Sequence, residues 1–210
     1  MIVFPNAKIN LGLRVTGERP DGYHNIETIF YPVSLCDALE FVVPSEPLEK
    51  DLLTVTGIYT GTDPADNLVM KAVRKLREKY TIPFFRIHLH KAIPVGAGLG
   101  GGSSDSAYII KALNKHCGLA IENHDLKSMV SELGSDCPFF IDNTPSFAQG
   151  RGELLNPVTP VLKGYYFVLL NPRISVNTKE AYQHCHSGQP STSLSELVNK
   201  PVTEWKEVIK

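Results

Sequence analysis

The sequence lacks any excess of charge: 21 Lys and Arg stand against 22 Asp and Glu, for a formal net charge of −1. That balance excludes broad electrostatic capture of nucleic acid or of an anionic membrane. A signal peptide's basic segment and long apolar run are missing from Met1-Ile-Val-Phe-Pro-Asn-Ala-Lys8, and no later stretch approaches the length of a membrane span. A cytoplasmic protein is expected. There is no CxxC pair among Cys36, Cys117, Cys137 and Cys185, and a chain of 210 residues does not need disulfides, so reduced thiols are the default. His88-x-His90 would point both rings to one side of a strand, and His184-Cys185-His186 packs three possible ligands together. Neither has a further ligand at a recognised metal spacing, which favours solvated or hydrogen-bonded histidines. With 42% hydrophobic and 20% charged residues, the composition is that of an ordinary globular protein suited to small-molecule work.

Glycine, by contrast, is concentrated. Pro94-Val95-Gly96-Ala97-Gly98-Leu99-Gly100-Gly101-Gly102-Ser103-Ser104 holds five glycines in seven positions and leaves a backbone able to fold closely around an anion. Before it, Phe85, Ile87 and Leu89 alternate with Phe84, Arg86 and His88, which predicts a strand over Phe84–Leu89. After it, Ser103 or Ser104 is placed to cap a helix with Asp105 in its first turn and Ala107, Ile110, Leu113 and Cys117 on one face. Strand, glycine loop and helix start in that order make an anion site from free N–H groups and the helix dipole. A nucleotide phosphate is the natural guest. The alternatives are a flexible turn, or a dinucleotide fold through Gly96-x-Gly98-x-x-Gly101 with Glu122 and Asp125 further on. The loop arrives late in the chain and after Pro94, which argues against an opening βαβ unit. No Gly-Lys-Ser/Thr triplet closes it, which argues against a Walker A loop.

The first half reads as strand-rich. Ala7, Ile9, Leu11, Leu13 and Val15 alternate with Lys8, Asn10, Gly12 and Arg14, so Lys8 and Asn10 share the face opposite the apolar one. Arg19-Pro20-Asp21-Gly22 supplies a turn. Further strands are predicted over Ile26–Val33, Leu39–Val43 and Leu52–Thr56, with Pro32 at an edge or strand end. Asp66 is placed to cap a helix carrying Leu68, Val69, Ala72, Val73, Leu76 and Tyr80, and a second helix is predicted over Asp125–Leu133 with Gly134 as its stop. Beyond Gly150-Arg151-Gly152, Tyr165–Leu170 reads as a strong buried strand. A short helical stretch near Lys179–His184, a polar loop over Ser187–Ser193 and two weak helical segments follow. Residues from about 160 onward look like the beginning of a second domain.

Four clusters together resemble the GHMP kinase superfamily: Pro5-Asn-Ala-Lys8-Ile-Asn10-Leu-Gly-Leu, Arg19-Pro-Asp-Gly-Tyr23-His24, the Gly96 to Ser104 loop, and Leu133-Gly-Ser-Asp136-Cys-Pro138-Phe-Phe. The second and fourth are most similar to the member acting on a cytidine diphosphate-linked methylerythritol, in non-mevalonate isoprenoid precursor biosynthesis. The resemblance implies an α+β fold. Residues 1–159 would form the ribosomal S5-like, ATP-binding N-terminal domain, and 160–210 the beginning of a ferredoxin-like C-terminal domain, incomplete here.

What the resemblance implies chemically is transfer of the γ-phosphoryl group of ATP to the 2-hydroxyl of that substrate, with Mg²⁺ accompanying the nucleotide. Asp136 matches the catalytic aspartate and Lys8 its lysine partner; an N-cap and a solvated strand residue are the plainer readings of the two. Tyr23 and His24 match a cytosine-contacting pair, Asn10 is placed for the substrate's diol or phosphate region, and Asn67 matches a position near the adenine. A helix cap explains Asn67 equally well. Another GHMP small-molecule kinase, or a homologue that binds nucleotide or substrate with impaired catalysis, is the alternative. Full-length relatives continue past the equivalent of Lys210 with another glycine-rich segment, and without it the first domain is expected to keep its fold with catalysis impaired.

Overall fold

The computed structural model describes residues 1–59, 61, 63–159, 162, 164–172 and 193–207. The His184-Cys185-His186 cluster and the helical stretch expected at 179–184 lie outside them. The chain packs as two compact units, each from two separated segments: Met1–Ala7 with Val33–Asp142, and Lys8–Pro32 with Asn143–Lys210. Helices and strands are mixed in sequence. Among the described residues, no helix is long and apolar enough to cross a membrane.

The first unit is built on a sheet of four strands: β1 (Ile2–Val3), β4 (Ala38–Val42), β6 (Arg86–Lys91) and β5 (Leu52–Gly57), in that spatial order. β4 and β6 run antiparallel with Leu39 opposite Leu89 and Phe41 opposite Ile87, while β5 and β6 are parallel with Val55 beside Leu89. Alternate residues Ile87, Leu89 and Lys91 of β6 are buried. The strand therefore starts two residues later than the alternation predicts. Pro83 cannot donate to a ladder, the Asp51 carboxylate takes the Phe85 N–H at 2.8 Å, and the Phe85 carbonyl takes Leu52 N–H at 3.0 Å.

α1 (Leu68–Arg77) buries Val69, Ala72, Val73 and Leu76, the stripe the sequence carries. Its cap is Asn67, whose side-chain oxygen accepts from Val69 N–H at 2.9 Å. Asp66 does not cap it; it closes a 3₁₀ turn over Pro64–Asp66 that Asp63 caps instead. The offset is one residue because that turn takes up the chain before the helix begins. α2 (Gly101–His116) buries Ala107, Ile109, Ile110 and Leu113, and His116 at its end meets Phe41 of the sheet edge-on at 5.3 Å between ring centroids. α3 (Asn123–Ser131) buries Leu126, Met129 and Val130, and α4 (Phe139–Asp142) is a single buried turn. The exposed histidines of β6, His88 and His90, both hydrogen-bond Thr56 Oγ1, at 2.8 and 3.0 Å.

The second unit is built on β2 (Asn6–Glu18), β3 (His24–Cys36), β7 (Ser146–Gln149) and β8 (Leu154–Pro157), in that order. The turn expected at Arg19–Gly22 joins β2 to β3, with Gly22 N–H on the Arg19 carbonyl at 3.0 Å and Gly22 at φ +79°. Pro32 falls inside β3, not at its end. It lies beyond Thr28–Phe30, the residues that pair with β7, so no bond of that ladder needs its nitrogen. A core of Ile29, Phe147, Leu162, Leu194, Leu197, Val198 and Trp205 joins the sheet to α5 (Leu194–Leu197) and to a 3₁₀ turn over Val202–Glu207. These are the two weak helical segments expected there. Glu27, buried on β3, accepts from Leu194 N–H and Ser193 Oγ and pairs with Arg14 at 3.5 Å.

Tyr165–Leu170 is neither strand nor core. Every residue of the run is exposed, from Phe167 at 46% to Tyr166 at 97%. β propensity is realised only where a neighbouring strand supplies ladder bonds and packing, and no described strand pairs with this run.

Candidate active site

In the first unit, β6 ends at Lys91 and α2 begins at Gly101, so the glycine loop lies where the sequence puts it. The helix cap differs. Gly100 is the N-cap, at φ +69° and without a side-chain cap bond, and Ser103 and Ser104 lie inside the first turn. The left-handed backbone at Gly100 turns the chain into the helix without a side-chain acceptor over the first amides. Ser104 N–H bonds the Gly100 carbonyl at 2.8 Å, whereas the N–H groups of Gly101, Gly102 and Ser103 ahead of it have no partner within the helix.

A cleft of about 420 Å³ opens over these amides, lined by Pro94 to Ser103 together with Asp66, Asn67, Leu68, Lys71, Lys91, Ile93 and Asp105. It thus joins Asn67 to the whole predicted loop except Ser104. The Ser104 hydroxyl is buried behind it without a hydrogen-bond partner.

Asp136 sits in a series of turns between α3 and α4, with Cys137 N–H on the Gly134 carbonyl at 3.2 Å and Phe140 N–H on the Cys137 carbonyl at 3.2 Å. A Cβ at Gly134 would lie 3.4 Å from Cys137 Sγ and 3.8 Å from Ser103 Oγ, so the turn bearing Asp136 is seated against the first turn of α2. Cys137 Sγ meets Ser106 Oγ at 3.4 Å, and burial pushes its thiol pKa up. From further along α2, Lys111 donates to the carbonyls of Phe140 and Ile141 at 3.3 and 2.7 Å and gathers the end of α4. Burial lowers the pKa of this amine.

One cluster was not evident in the sequence. Lys91, with Asp37 and Asp105, is buried to within 4% exposure. Its ammonium pairs with Asp37 and, at 2.7 Å, with Asp105 Oδ2; Asp37 Oδ1 accepts from Ala92 N–H at 2.6 Å and Ile93 N–H at 2.8 Å. Strand end, loop start and helix are thereby tied at one point. Asp105 is not a dipole-facing residue of the first turn, as its position suggests, but an internal ion-pair partner. Alternation in β6 places Lys91 on the inner face, the single signal that would have found it.

In the second unit, Lys8 is 3% exposed, which rules out a solvated strand lysine. Its ammonium bonds Asn10 Oδ1 at 3.0 Å and stands 4.5 Å from the Phe30 ring centroid. Leu13, expected on the apolar face, is 47% exposed. Tyr23 presents a 56% exposed ring over which the Arg151 guanidinium lies at 4.7 Å, and its N–H bonds Asp21 Oδ1 at 3.1 Å. His24 begins β3 beside it, half-buried.

Residues 67–150 match the GHMP kinases N terminal domain. The chain is 52% identical over 207 residues to 4-diphosphocytidyl-2-C-methyl-D-erythritol kinase of Parabacteroides distasonis, covering 99% of this chain and 75% of that protein. It is 47% identical over 209 residues to the kinase of the same name from Bacteroides thetaiotaomicron, covering 100% and 76%. Among solved structures, a 4-(cytidine 5'-diphospho)-2C-methyl-D-erythritol kinase superposes with a TM-score of 0.63 at 38% identity, over 76% of this chain and 56% of that one. Mevalonate kinase of Methanococcus jannaschii shares the fold at 14% identity, with a TM-score of 0.53 over 95% of this chain and 65% of that one.

Proposed function

Because this chain belongs to the GHMP kinase superfamily, among the 4-diphosphocytidyl-2-C-methyl-D-erythritol kinases, we propose that it phosphorylates the 2-hydroxyl of that cytidine-linked substrate with ATP. The setting would be the cytoplasm and the pathway non-mevalonate isoprenoid precursor biosynthesis. In this reading residues 1–159 are the ribosomal S5-like N-terminal domain and 160–210 the start of a ferredoxin-like C-terminal one. The observation that carries the proposal is the uncapped first turn of α2, whose amides open onto a cleft that also holds Asn67. Amides and dipole favour a polyphosphate there, and Asn67 stands near the adenine as well as capping α1.

The reaction forms a bond between the substrate oxygen and the γ-phosphorus and breaks the bond from that phosphorus to the bridging β-γ oxygen, releasing ADP. Such transfers pass through loose transition states and are accelerated mainly by alignment and charge stabilisation. Asp136 orients the hydroxyl and takes its proton late. Lys8 supplies an ammonium that helps orient the same group, and its bond to Asn10 leaves that amide to reach the substrate's diol or phosphates. Tyr23 stacks on the cytosine, an interaction worth about 1–3 kcal/mol, and His24 hydrogen-bonds the base edge.

Mg²⁺ accompanies the nucleotide as part of the substrate. Among the described residues, no group of three or more His, Cys, Asp or Glu is placed to hold a metal ion. Replacing Asp136 by Asn in the full chain should lower turnover about 10²- to 10⁴-fold while ATP affinity is retained. ADP release followed against wild type is the measurement, and near-normal turnover removes Asp136 from this role.

A further inference from the structure

Two carboxylates share one ammonium beneath the phosphate loop. Asp37 satisfies its lone pairs with Lys91 and with the amides of Ala92 and Ile93. Asp105 does not: Oδ2 takes Lys91, while Oδ1 is buried without a hydrogen-bond partner. An ionised carboxylate with an idle, desolvated oxygen is costly, whereas a carboxylic acid there leaves only a neutral group to satisfy. The cluster is also crowded from above. A Cβ on Gly101, the first residue of α2, would sit 3.2 Å from Lys91 Nζ and 3.0 Å from Ile93 Cγ2. The charges thus lie directly under the helix end whose amides face the cleft, and Asp105 and Lys91 both reach its lining.

We propose that the Asp37–Lys91–Asp105 cluster is the proton acceptor that accompanies nucleotide binding: when a polyphosphate settles on the α2 amides, Asp105 takes a proton from solvent and the cluster passes from net −1 to neutral. The proposal rests on the loop being the ATP-phosphate site and adds to that reading how the protein accommodates the arriving charge. The balance is one proton gained per Asp105 carboxylate, with no other bond made or broken. Asp105 acts through the loop it underlies, as a positioning residue; it does not touch the reacting atoms.

The groups facing Asp105 can be named element by element. Lys91 comes from β6 and Asp37 from the turn between β3 and β4. Lys71 of α1 and Asp66 before it line the same cleft, and Asp136 and Cys137 lie in the turn seated against Ser103 and Ser106. Arg86, His88 and His90 are on the opposite, exposed face of the sheet. Burial is the largest influence on Asp105 and raises its pKa; the Lys91 charge opposes this, Asp37 reinforces it, and the result is about 7. The group therefore stands where an approaching anion changes its occupancy near neutral pH.

Titration calorimetry of the full chain with MgATP, in buffers of different ionisation enthalpy at pH 7.5, measures the protons exchanged. If bound phosphate raises the acid's pKa by about one unit, wild type gains about half a proton more per ATP than Asp105→Asn, a near-isosteric mimic of the protonated form. Between pH 6 and pH 8 its ATP affinity then weakens about fivefold more than that of the variant. Equal proton counts and equal pH profiles in the two proteins, with ATP bound to both, overturn the proposal and leave the phosphate site standing. Failure of ATP to bind wild type overturns the site and the proposal together. Carbon-13 NMR of the wild-type Asp105 carboxyl, with and without MgATP, needs no variant: its titration midpoint should move upward with nucleotide, and an unmoved midpoint overturns the inference as well.

Discussion

Two stretches of this molecule invert the usual distribution of polarity. Beneath the glycine loop, three charged side chains from a strand end, a turn and a helix are 1 to 4% exposed, whereas from Tyr165 to Leu170 six aromatic and aliphatic side chains are 46 to 97% exposed. Hydropathy alone would exchange the two. The difference lies in what surrounds each. Asp37, Lys91 and Asp105 find one another and two backbone amides, so each charge has partners to offset desolvation. The apolar run pairs with no described strand, and the contact of Phe167 with the Tyr31 ring of β3, 5.6 Å between centroids, leaves its side chains largely exposed. Burial follows the availability of partners more closely than it follows side-chain type.

The contrast can be broken most directly at its centre. Lys91→Met would leave two buried carboxylates without their cation and should destabilise the fold by about 3–5 kcal/mol in chemical denaturation. A loss below about 1 kcal/mol would mean the cluster is solvated and the comparison mistaken.

Asp105→Asn sharpens the comparison through its pH dependence. Because burial raises this carboxyl to about 7, wild type gains full benefit only below the ordinary aspartate range. Between about pH 4 and pH 7 the unfolded chain ionises this group first, and that share of stability is lost as pH rises. The variant has no such loss, so relative to wild type it should be more stable at pH 8 than at pH 4 by about 4 kcal/mol, in paired thermal melts. Next in size is Gly57→Ala. Gly57 ends β5 at φ +82°, where a Cβ would lie 2.2 Å from the Lys91 carbonyl oxygen. Backbone strain and displacement of that carbonyl should cost about 2–3 kcal/mol, read as a lowered denaturation midpoint. The smallest effect belongs to the other region. Val168→Ser and Leu170→Ser, at side chains 85% and 86% exposed, should each shift stability by less than about 0.5 kcal/mol. Core-sized losses there would show that the run is packed in solution.

Local patterns were legible wherever one element decides its own fate. The stripe Val69, Ala72, Val73 and Leu76 marks α1, Leu126, Met129 and Val130 mark α3, and Arg19–Gly22 marks a turn, because periodicity and turn chemistry act over a few residues. The glycine loop was equally legible. Caps were less so: Asn67 displaces Asp66 because a 3₁₀ turn precedes α1, and Gly100 displaces the serines because a left-handed glycine can start a helix unaided. What sequence patterns conceal is assembly at a distance. Asp37, Lys91 and Asp105 are separated by 54 and 14 positions and look like surface residues one at a time. Lys8, on the nominally polar face of β2, is enclosed by tertiary packing that alternation within one strand does not encode.

A last consequence concerns α2. Its leading amides floor the cleft, and ten residues on, about 15 Å along the axis, Lys111 clasps the carbonyls that close the segment following Asp136. The helix works as a gauge rod. Removing a single residue between Ser106 and Lys111 would swing the lysine through about 100° and draw it back 1.5 Å, parting it from its two acceptors. Natural variation in the length of this chain should therefore accumulate outside that interval, in connections such as residues 44–51, where the distance between fixed points matters less.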